Sequence, residues 1–505
     1  MAQRALGSVM RPRHGLACIT LYAGSSARHI VTECRHMLDA GSRDRLREVE
    51  LNSVRRLTAL ILAAACFVGT GSTVAAVTIV VTPETALLDQ RIRIVISGLN
   101  PNTPVGVAAK SQAQDSLWWR SEALFIADSN GRVDLDRRPP QSGSYTGTDV
   151  MGLFWSMRPD REPKQADHLS FAVADYSQPV LTQIEVTDAG GTIASVSIER
   201  RWSVALHSLP ISDGIIATLY SCDGGTGPLP GVLVIGGSDG GLGAPNVAVL
   251  LASHGFAALA LSYFGASGQP PTLENIPLEY FAKALAWMRS QSVIDPRSIA
   301  IYAESRGTEA ALFTAANDPN LAAVVARSPS FVFWSGVTKA HLPGKSPWTY
   351  QGKPQAFVAN TLYPDFILGY LWDRATGTPV RQTPLFLEDL QHATEQEAIA
   401  IPVERIHAPV MLLAGADDQI WPSALMAQRI VARRSHGHTS LDKYLEFADV
   451  GHAIPYVYLP TRGNWQDAKF AIGGTAEGMA QAQSRAWPQI LEFLQDAADR
   501  SRSVH

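Results

Sequence analysis

Ser298-Ile299-Ala300-Ile301-Tyr302-Ala303-Glu304-Ser305-Arg306-Gly307-Thr308-Glu309-Ala310-Ala311-Leu312-Phe313 is the stretch that decides the fold. Residues 299–302 form a short apolar run, the length of a strand buried on both faces. The Ala-rich segment after Gly307 reads as helix. Between them a serine stands at the bend, with Ala303 and Gly307 two places to either side. This is the pattern of a nucleophile elbow, where a strand turns sharply into a helix and lifts a hydroxyl clear of the sheet. An ordinary strand-to-helix turn fits the same pentapeptide, so the flanking chain has to decide.

Outward from the elbow, the same rhythm holds from about residue 206 to the C-terminus. Residues 231–235, 257–261, 322–326, 410–413 and 444–447 read as strands, and 245–253 and 278–290 as helices. Residues 477–497 carry apolar positions at helical spacing, with Pro488 marking a kink or the first turn of a fresh helix. Strands alternating with helices imply a parallel sheet. The stretch 334–391, rich in Pro, Gly and aromatics, reads as an insertion near the site.

Before residue 206 the pattern differs. Short segments rich in Val, Ile and Thr occupy 77–82, 91–97, 105–109, 123–127, 169–173, 182–186 and 192–198. Asn130-Gly131 and Gly190-Gly191 are hairpin signals. In 91–94 apolar residues alternate with polar ones, as a sheet with one buried face requires. The expectation is an antiparallel β-sandwich over 77–205, serving as packing scaffold or lid, in front of an α/β domain over 206–505.

The chain of 505 residues is long enough for two or three domains. A net charge of −4 leaves no basic excess, which argues against a nucleic-acid partner. No repeat period stands out. Residues 1–53, rich in Arg and His, lack apolar periodicity and read as a disordered extension. Arg55-Arg56, the apolar run 57–68 and the small residues Gly69-Thr70-Gly71-Ser72-Thr73-Val74-Ala75-Ala76 make 54–76 a signal-peptide-like segment. It is short for a bilayer span, so no stable membrane span is expected after processing. A membrane anchor or a buried helix is the competing reading. Since such signals stand at the N-terminus, translation is expected to start near residue 54 or to carry a dispensable extension. The product would be exported if the segment is used, and cytoplasmic otherwise. Cys66 is a weak lipidation candidate, because Ala63 stands where lipoprotein signals usually have leucine. With Cys18, Cys34 and Cys66 in or before the signal, Cys222 is alone in the mature chain, and no internal disulfide is expected. Cys/His metal spacing is absent, so neither metal nor cofactor is expected.

A serine hydroxyl needs a base to take its proton, and the base needs a carboxylate to hold its tautomer. In an elbow fold these follow in the order Ser, Asp or Glu, His. Ala414-Gly415-Ala416-Asp417-Asp418-Gln419-Ile420-Trp421 follows a late strand and offers Asp418, with Asp417 left to the turn or to capping the next helix. Ala448-Asp449-Val450-Gly451-His452 ends the next strand and offers His452, with His341, His392 and His407 as rivals. The glycine-rich Gly236-Gly237-Ser238-Asp239-Gly240-Gly241 follows an early strand. It can supply an oxyanion hole through the Ser238 amide, together with the amide of Arg306 after the nucleophile. A phosphate-cradling loop lacks its lysine here, whereas a plain glycine turn stays open.

At this point the chain resembles the acyl-CoA thioesterases related to bile acid-CoA:amino acid N-acyltransferase. The resemblance rests on Ser121-Glu122-Ala123 with Ala127-Asp128, on Gly143-Ser144-Tyr145-Thr146-Gly147, and on Met151-Gly152-Leu153-Phe154-Trp155-Ser156-Met157. It continues through Gly236-Gly237-Ser238, the Ser305 elbow, the stretch from Gly415 to Trp421, and Gly451-His452. It implies a sandwich before an α/β-hydrolase domain, a triad of Ser305, Asp418 and His452, and an acyl-CoA or other acyl ester substrate. Family members that transfer acyl groups to amino acids look to have cysteine as nucleophile, so Ser305 favours hydrolysis. Ala303 in place of the usual glycine is a minor departure. The signal-like segment is a larger one, since acyl-CoA is cytosolic. The expected activity is hydrolysis of acyl-CoA thioesters to fatty acid and CoA, with an exported carboxylesterase or peptidase as alternative. A secreted binding module with a degenerate hydrolase domain would not need the three residues in this order.

Overall fold

The computed structural model of the chain describes residues 76–160, 171, 173, 175–223, 227–338, 344–393, 399–435, 440–461 and 470–503. The expected extension and signal-like segment lie outside these residues, apart from Ala76, as do Cys18, Cys34, Cys66 and His341.

The N-terminal region holds two sheets. Thr78–Thr82, Arg93–Ser97 and Val133–Asp134 make the smaller one. The larger is centred on Pro104–Gln112, Trp118–Ile126, Val180–Asp188 and Gly191–Arg201, paired antiparallel. Its edge strand Thr85–Leu87 runs parallel to Gly191–Arg201, the one departure from an all-antiparallel arrangement here. Along Trp118–Ile126 and Val180–Asp188 buried and exposed positions alternate, which gives each strand one core-facing row.

Two local expectations need correction. Asn130-Gly131 does form a tight turn, with the Gly131 N–H bonded to Asp128 O and a left-handed φ of 68°. The strands on either side belong to different sheets, however, so the turn is a corner rather than a hairpin. Gly190-Gly191 does join paired neighbours. Residues 169–173 do not supply a strand: Phe171 and Val173 lie outside regular structure, and the other three fall outside the described residues. Phe171 instead packs edge-on against Trp119, with centroids 5.9 Å apart.

The C-terminal region is built on a sheet of eight strands, labelled here β1 (Leu206–Ile211), β2 (Ile216–Cys222), β3 (Leu229–Ile235), β4 (Ala257–Ser262), β5 (Ile294–Glu304), β6 (Ala323–Arg327), β7 (Val410–Gly415) and β8 (Lys443–Phe447). Their spatial order is 1-2-4-3-5-6-7-8. β1 and β2 are antiparallel to their neighbours and the remaining strands run parallel. This is the α/β-hydrolase arrangement. β4 and β7 are buried at every position, which explains their unbroken apolar sequences.

Helices α1 (Pro245–Ser253) and α7 (Ala476–Ser503) cover one face of the sheet. α2 (Glu279–Arg289), α3 (Gly307–Ala316) and α6 (Ser423–Arg434) cover the other. α7 runs unbroken through Pro488, so no fresh helix begins there. Between β6 and β7, residues 334–391 carry Trp348–Tyr350, which pairs with Ile276–Pro277, and helices α4 (Pro364–Thr376) and α5 (Thr383–His392). No described helix is long and apolar enough to cross a membrane.

The core on the α1/α7 face continues into the sandwich. A buried carboxylate fastens the two regions. Asp89 Oδ2 accepts from Trp487 Nε1 at 2.6 Å and lies 2.5 Å from His254 Nε2. Two further ties reach the chain after β8: the Tyr458 N–H donates to Leu88 O at 2.8 Å, and the Thr461 N–H to Trp155 O at 3.0 Å. Asp89→Ala strands the indole N–H in the core and is expected to lower stability by about 1.5–3 kcal/mol. Urea midpoints at matched slopes would measure this, and an unchanged midpoint would contradict the buried role.

Candidate active site

β5 ends at Glu304 and α3 begins at Gly307, leaving two residues for the turn. Ser305 takes φ of 50°, in the left-handed region that a residue with a Cβ rarely enters. Neighbouring backbone holds it there: the Ser305 N–H donates to Arg327 O at 2.9 Å, and the Thr308 N–H to Ser305 O at 2.9 Å. The small residue at 307 has a physical reason. A Cβ on Gly307 would lie 2.3 Å from Gly236 O, so only glycine lets α3 sit this close to the loop after β3. Ala303 is fully buried, and its methyl joins the core on the α2/α3 face.

The expected partners converge on this turn. His452 Nε2 lies 2.8 Å from Ser305 Oγ, and His452 Nδ1 lies 2.9 Å from Asp418 Oδ2. The other oxygen, Asp418 Oδ1, accepts from the amides of Ile420 at 3.0 Å and Trp421 at 3.2 Å. Those bonds fix the carboxylate in a buried loop beyond β7. The His452 backbone is held on both sides. Its N–H donates to Ile472 O at 2.9 Å, while its carbonyl accepts from Ser328 Oγ at 2.6 Å and Arg327 Nη1 at 3.1 Å. Trp421 packs edge-on against the imidazole at 5.6 Å.

Asp417 braces the turn through Gly474 N–H at 2.7 Å and does not cap α6. Of the described rival histidines, His392 pairs with Tyr363 Oη at 3.1 Å and His407 is exposed; neither contacts Ser305.

Both expected oxyanion donors lie in loops rather than in helix or strand. Among the described residues the Ser238 amide has no backbone or side-chain acceptor, and neither has the amide of Arg306. The backbone of the glycine loop passes close to Ser305: a Cβ on Gly237 would lie 3.6 Å from Ser305 Oγ. A hollow of about 240 Å³ follows this loop, with Tyr263 and Glu304 in its wall. A second cavity, of about 280 Å³, shares Glu304 and Asn246 with it. Phe171, Tyr176 and Trp202 of the N-terminal region line that cavity, as do Arg327, Tyr456 and Met479. The N-terminal region thus contributes a wall to this second cavity.

Sequence reading missed a buried polar cluster behind the turn. The Arg306 side chain points inward, donating from Nη1 to Ser335 O at 2.9 Å and from Nη2 to Trp334 O at 3.0 Å. Its Nε lies 2.9 Å from Glu309 Oε1, one turn along α3. Trp348 Nε1 donates to Glu309 Oε2 at 2.7 Å. Both charged side chains are buried. Burial pushes the Glu309 carboxyl up to about 7, against the opposing pull of Arg306 and the Trp348 indole. Burial also lowers the Arg306 guanidinium, with Glu309 opposing. The signal in the sequence was a lone glutamate on an otherwise apolar helix face, a residue that stays buried only with partners.

The chain matches known proteins over most of its length. Residues 89–207 match the acyl-CoA thioester hydrolase/BAAT N-terminal region, and residues 276–499 the BAAT/acyl-CoA thioester hydrolase C-terminal region. Acyl-coenzyme A thioesterase 1 of Rattus norvegicus is 28% identical over 421 residues, covering 80% of this chain and 93% of the relative. Acyl-coenzyme A thioesterase 6 of Mus musculus is 29% identical over 428 residues, with 81% and 93% covered. Acyl-coenzyme A amino acid N-acyltransferase 1 of Mus musculus is 28% identical over 439 residues, with 82% and 96% covered.

The raised Glu309 carboxyl has a consequence for stability. Between the ordinary 4.5 and about 7 the folded chain keeps a proton that the unfolded chain releases. The stabilisation is therefore complete below the unfolded value and is lost as pH rises through about 7. Glu309→Gln is expected to flatten this stretch of the pH–stability profile. Urea midpoints across that window provide the measurement, and a profile that keeps its slope would count against the assignment.

Proposed function

From the premise that this chain belongs to the acyl-CoA thioester hydrolase/BAAT family, both of whose characteristic regions it carries, we propose that it is a serine acyl-CoA thioesterase acting through Ser305, His452 and Asp418. The observation that carries the reading is the placement of Ser305 Oγ, on a strained turn, 2.8 Å from His452 Nε2.

With Nδ1–H donated to Asp418, His452 Nε2 is free to accept the Ser305 proton. Ser305 Oγ then attacks the thioester carbonyl, and the oxyanion is met by the amides of Ser238 and Arg306. As the tetrahedral species collapses, the C–S bond breaks and the imidazolium gives its proton to the departing CoA sulfur. The acyl group is left as an oxygen ester on Ser305. Water attacks next, His452 takes one of its protons, and the C–O bond to Ser305 breaks as that proton returns to Oγ. Free fatty acid leaves, and the enzyme is restored.

The relatives include both thioesterases and an amino acid N-acyltransferase. A serine ester is a weaker acyl donor to amines than a cysteine thioester, so the nucleophile supports water as the acceptor. The signal-like segment keeps a second reading open, an exported carboxylesterase or peptidase using the same three residues.

Palmitoyl-CoA and a panel of p-nitrophenyl esters separate the two. Ser305→Ala is expected to lower kcat by about 10⁴-fold or more, with the unfolding midpoint retained. Palmitoyl-CoA turnover lost in this variant supports the thioesterase. Turnover of simple esters alone would shift the assignment to the carboxylesterase, and full activity in Ser305→Ala would remove the serine mechanism altogether.

A further inference from the structure

Tyr263 follows the last residue of β4, and its ring is almost fully buried. The ring packs against Phe264, Phe281 and Trp348, with centroids 5.1, 5.4 and 5.8 Å away. Its hydroxyl emerges beneath the glycine loop, where it meets Gly237 O at 2.5 Å and Gly236 O at 2.9 Å.

The backbone from Gly237 to Gly240 makes no other hydrogen bond among the described residues. The loop is next anchored at Gly241, whose N–H donates to Phe264 O at 2.8 Å. With no other hydrogen bond on the backbone in between, the Tyr263 hydroxyl is the principal restraint on the Gly237–Ser238 peptide.

The restraint has a direction. Among the described residues the Thr82–Pro83 bond alone is cis, so the Gly237–Ser238 peptide is trans. In a planar trans peptide the carbonyl oxygen and the following N–H point to opposite sides. Holding Gly237 O against the buried hydroxyl therefore turns the Ser238 N–H away from Tyr263. A donor on the oxygen also polarises the peptide and strengthens its N–H as a donor.

We propose that Tyr263 is a positioning residue for this reaction: its hydroxyl aims the Ser238 amide at the oxyanion by fixing the Gly237–Ser238 peptide. The inference rests on the serine-hydrolase reading above and adds a specific residue to it. The same scaffold reaches the second donor, since Trp348, packed on Tyr263, also bonds Glu309 and through it the Arg306 side chain. Both amides thus stand on one buried cluster.

Tyr263→Phe in the full chain keeps the ring and removes the hydroxyl. Loss of a single oxyanion donor lowers kcat by about 10²–10³-fold. A donor that is present but no longer aimed is expected to cost somewhat less, about 10–100-fold in kcat, with KM within about twofold. Active-site titration with a fluorophosphonate corrects each rate for folded enzyme. Two inhibitors test the cause: an acyl trifluoromethyl ketone, which places an oxyanion in the hole, and a thioether analogue of acyl-CoA, which does not. The ketone should weaken in proportion to the loss in kcat/KM, while the thioether keeps its affinity. Phe281→Leu loosens the ring packing but keeps the hydroxyl; it should lower the unfolding midpoint and leave kcat near wild type.

Wild-type kcat in Tyr263→Phe, or equal weakening of both inhibitors, would overturn the assignment of Tyr263 while an inactive Ser305→Ala left the triad reading intact. The same kcat loss in Phe281→Leu would show that packing, not the hydroxyl, is responsible. Activity in Ser305→Ala would overturn the serine mechanism and this inference together.

Discussion

A left-handed backbone at Ser305 is the constraint on which the rest of the structure depends. Such a conformation costs on the order of 1–3 kcal/mol and persists only where its surroundings over-determine it. Here β6 supplies Arg327 O to the Ser305 N–H, α3 supplies its first turn, and the loop after β3 presses Gly236 O onto Gly307. Three neighbouring elements therefore hold one serine, and each also carries another component of the site. Arg327 bonds the His452 carbonyl as well as Glu304, so the strand that restrains Ser305 also steadies His452.

Behind that turn the protein keeps charged and hydroxyl groups in its interior. The Arg306–Glu309 pair is fully enclosed, and burial of such a pair gains little net stability over apolar packing. Its geometry offers a different return. The guanidinium reaches two carbonyls of the 334–391 segment, and the carboxylate reaches Trp348 in the same segment. The segment is thereby fastened to the first turn of α3, next to Ser305. What looks like a loop-rich insertion is, at its tryptophans, a piece of the site's foundation.

Much of the fold was legible because the parallel strands are buried on both faces and announce themselves as apolar runs. Ser305, Asp418 and His452 were legible for a related reason. Ser305 and Asp418 follow the carboxyl ends of such strands, His452 follows the less buried β8, and the chain order is fixed, so their meeting needed no knowledge of side-chain paths. Tyr263 was not legible in this way. Its contact with Gly237 joins loops after different strands and depends on how the ring is wedged, which periodicity does not encode. Glu309 could be suspected as a buried charge, but its partner Trp348 lies 39 residues on. The Asn130-Gly131 turn shows the complementary limit: local turn chemistry was read correctly, while the choice of pairing partners is a tertiary matter. Within 169–173, Phe171 is spent on packing against Trp119.

The chain leaving His452 is stitched to the N-terminal region at Leu88 and Trp155 before it reaches α7. This bears on heredity. The chain after His452 takes its footing from a region encoded well upstream of Ser305, so the two halves of the gene are expected not to be interchangeable modules. A recombination event that replaced the front half would replace the footing of the histidine along with it. Descendants of this architecture are thus expected to inherit both halves as a matched pair, and to diversify within them rather than by exchanging one for another.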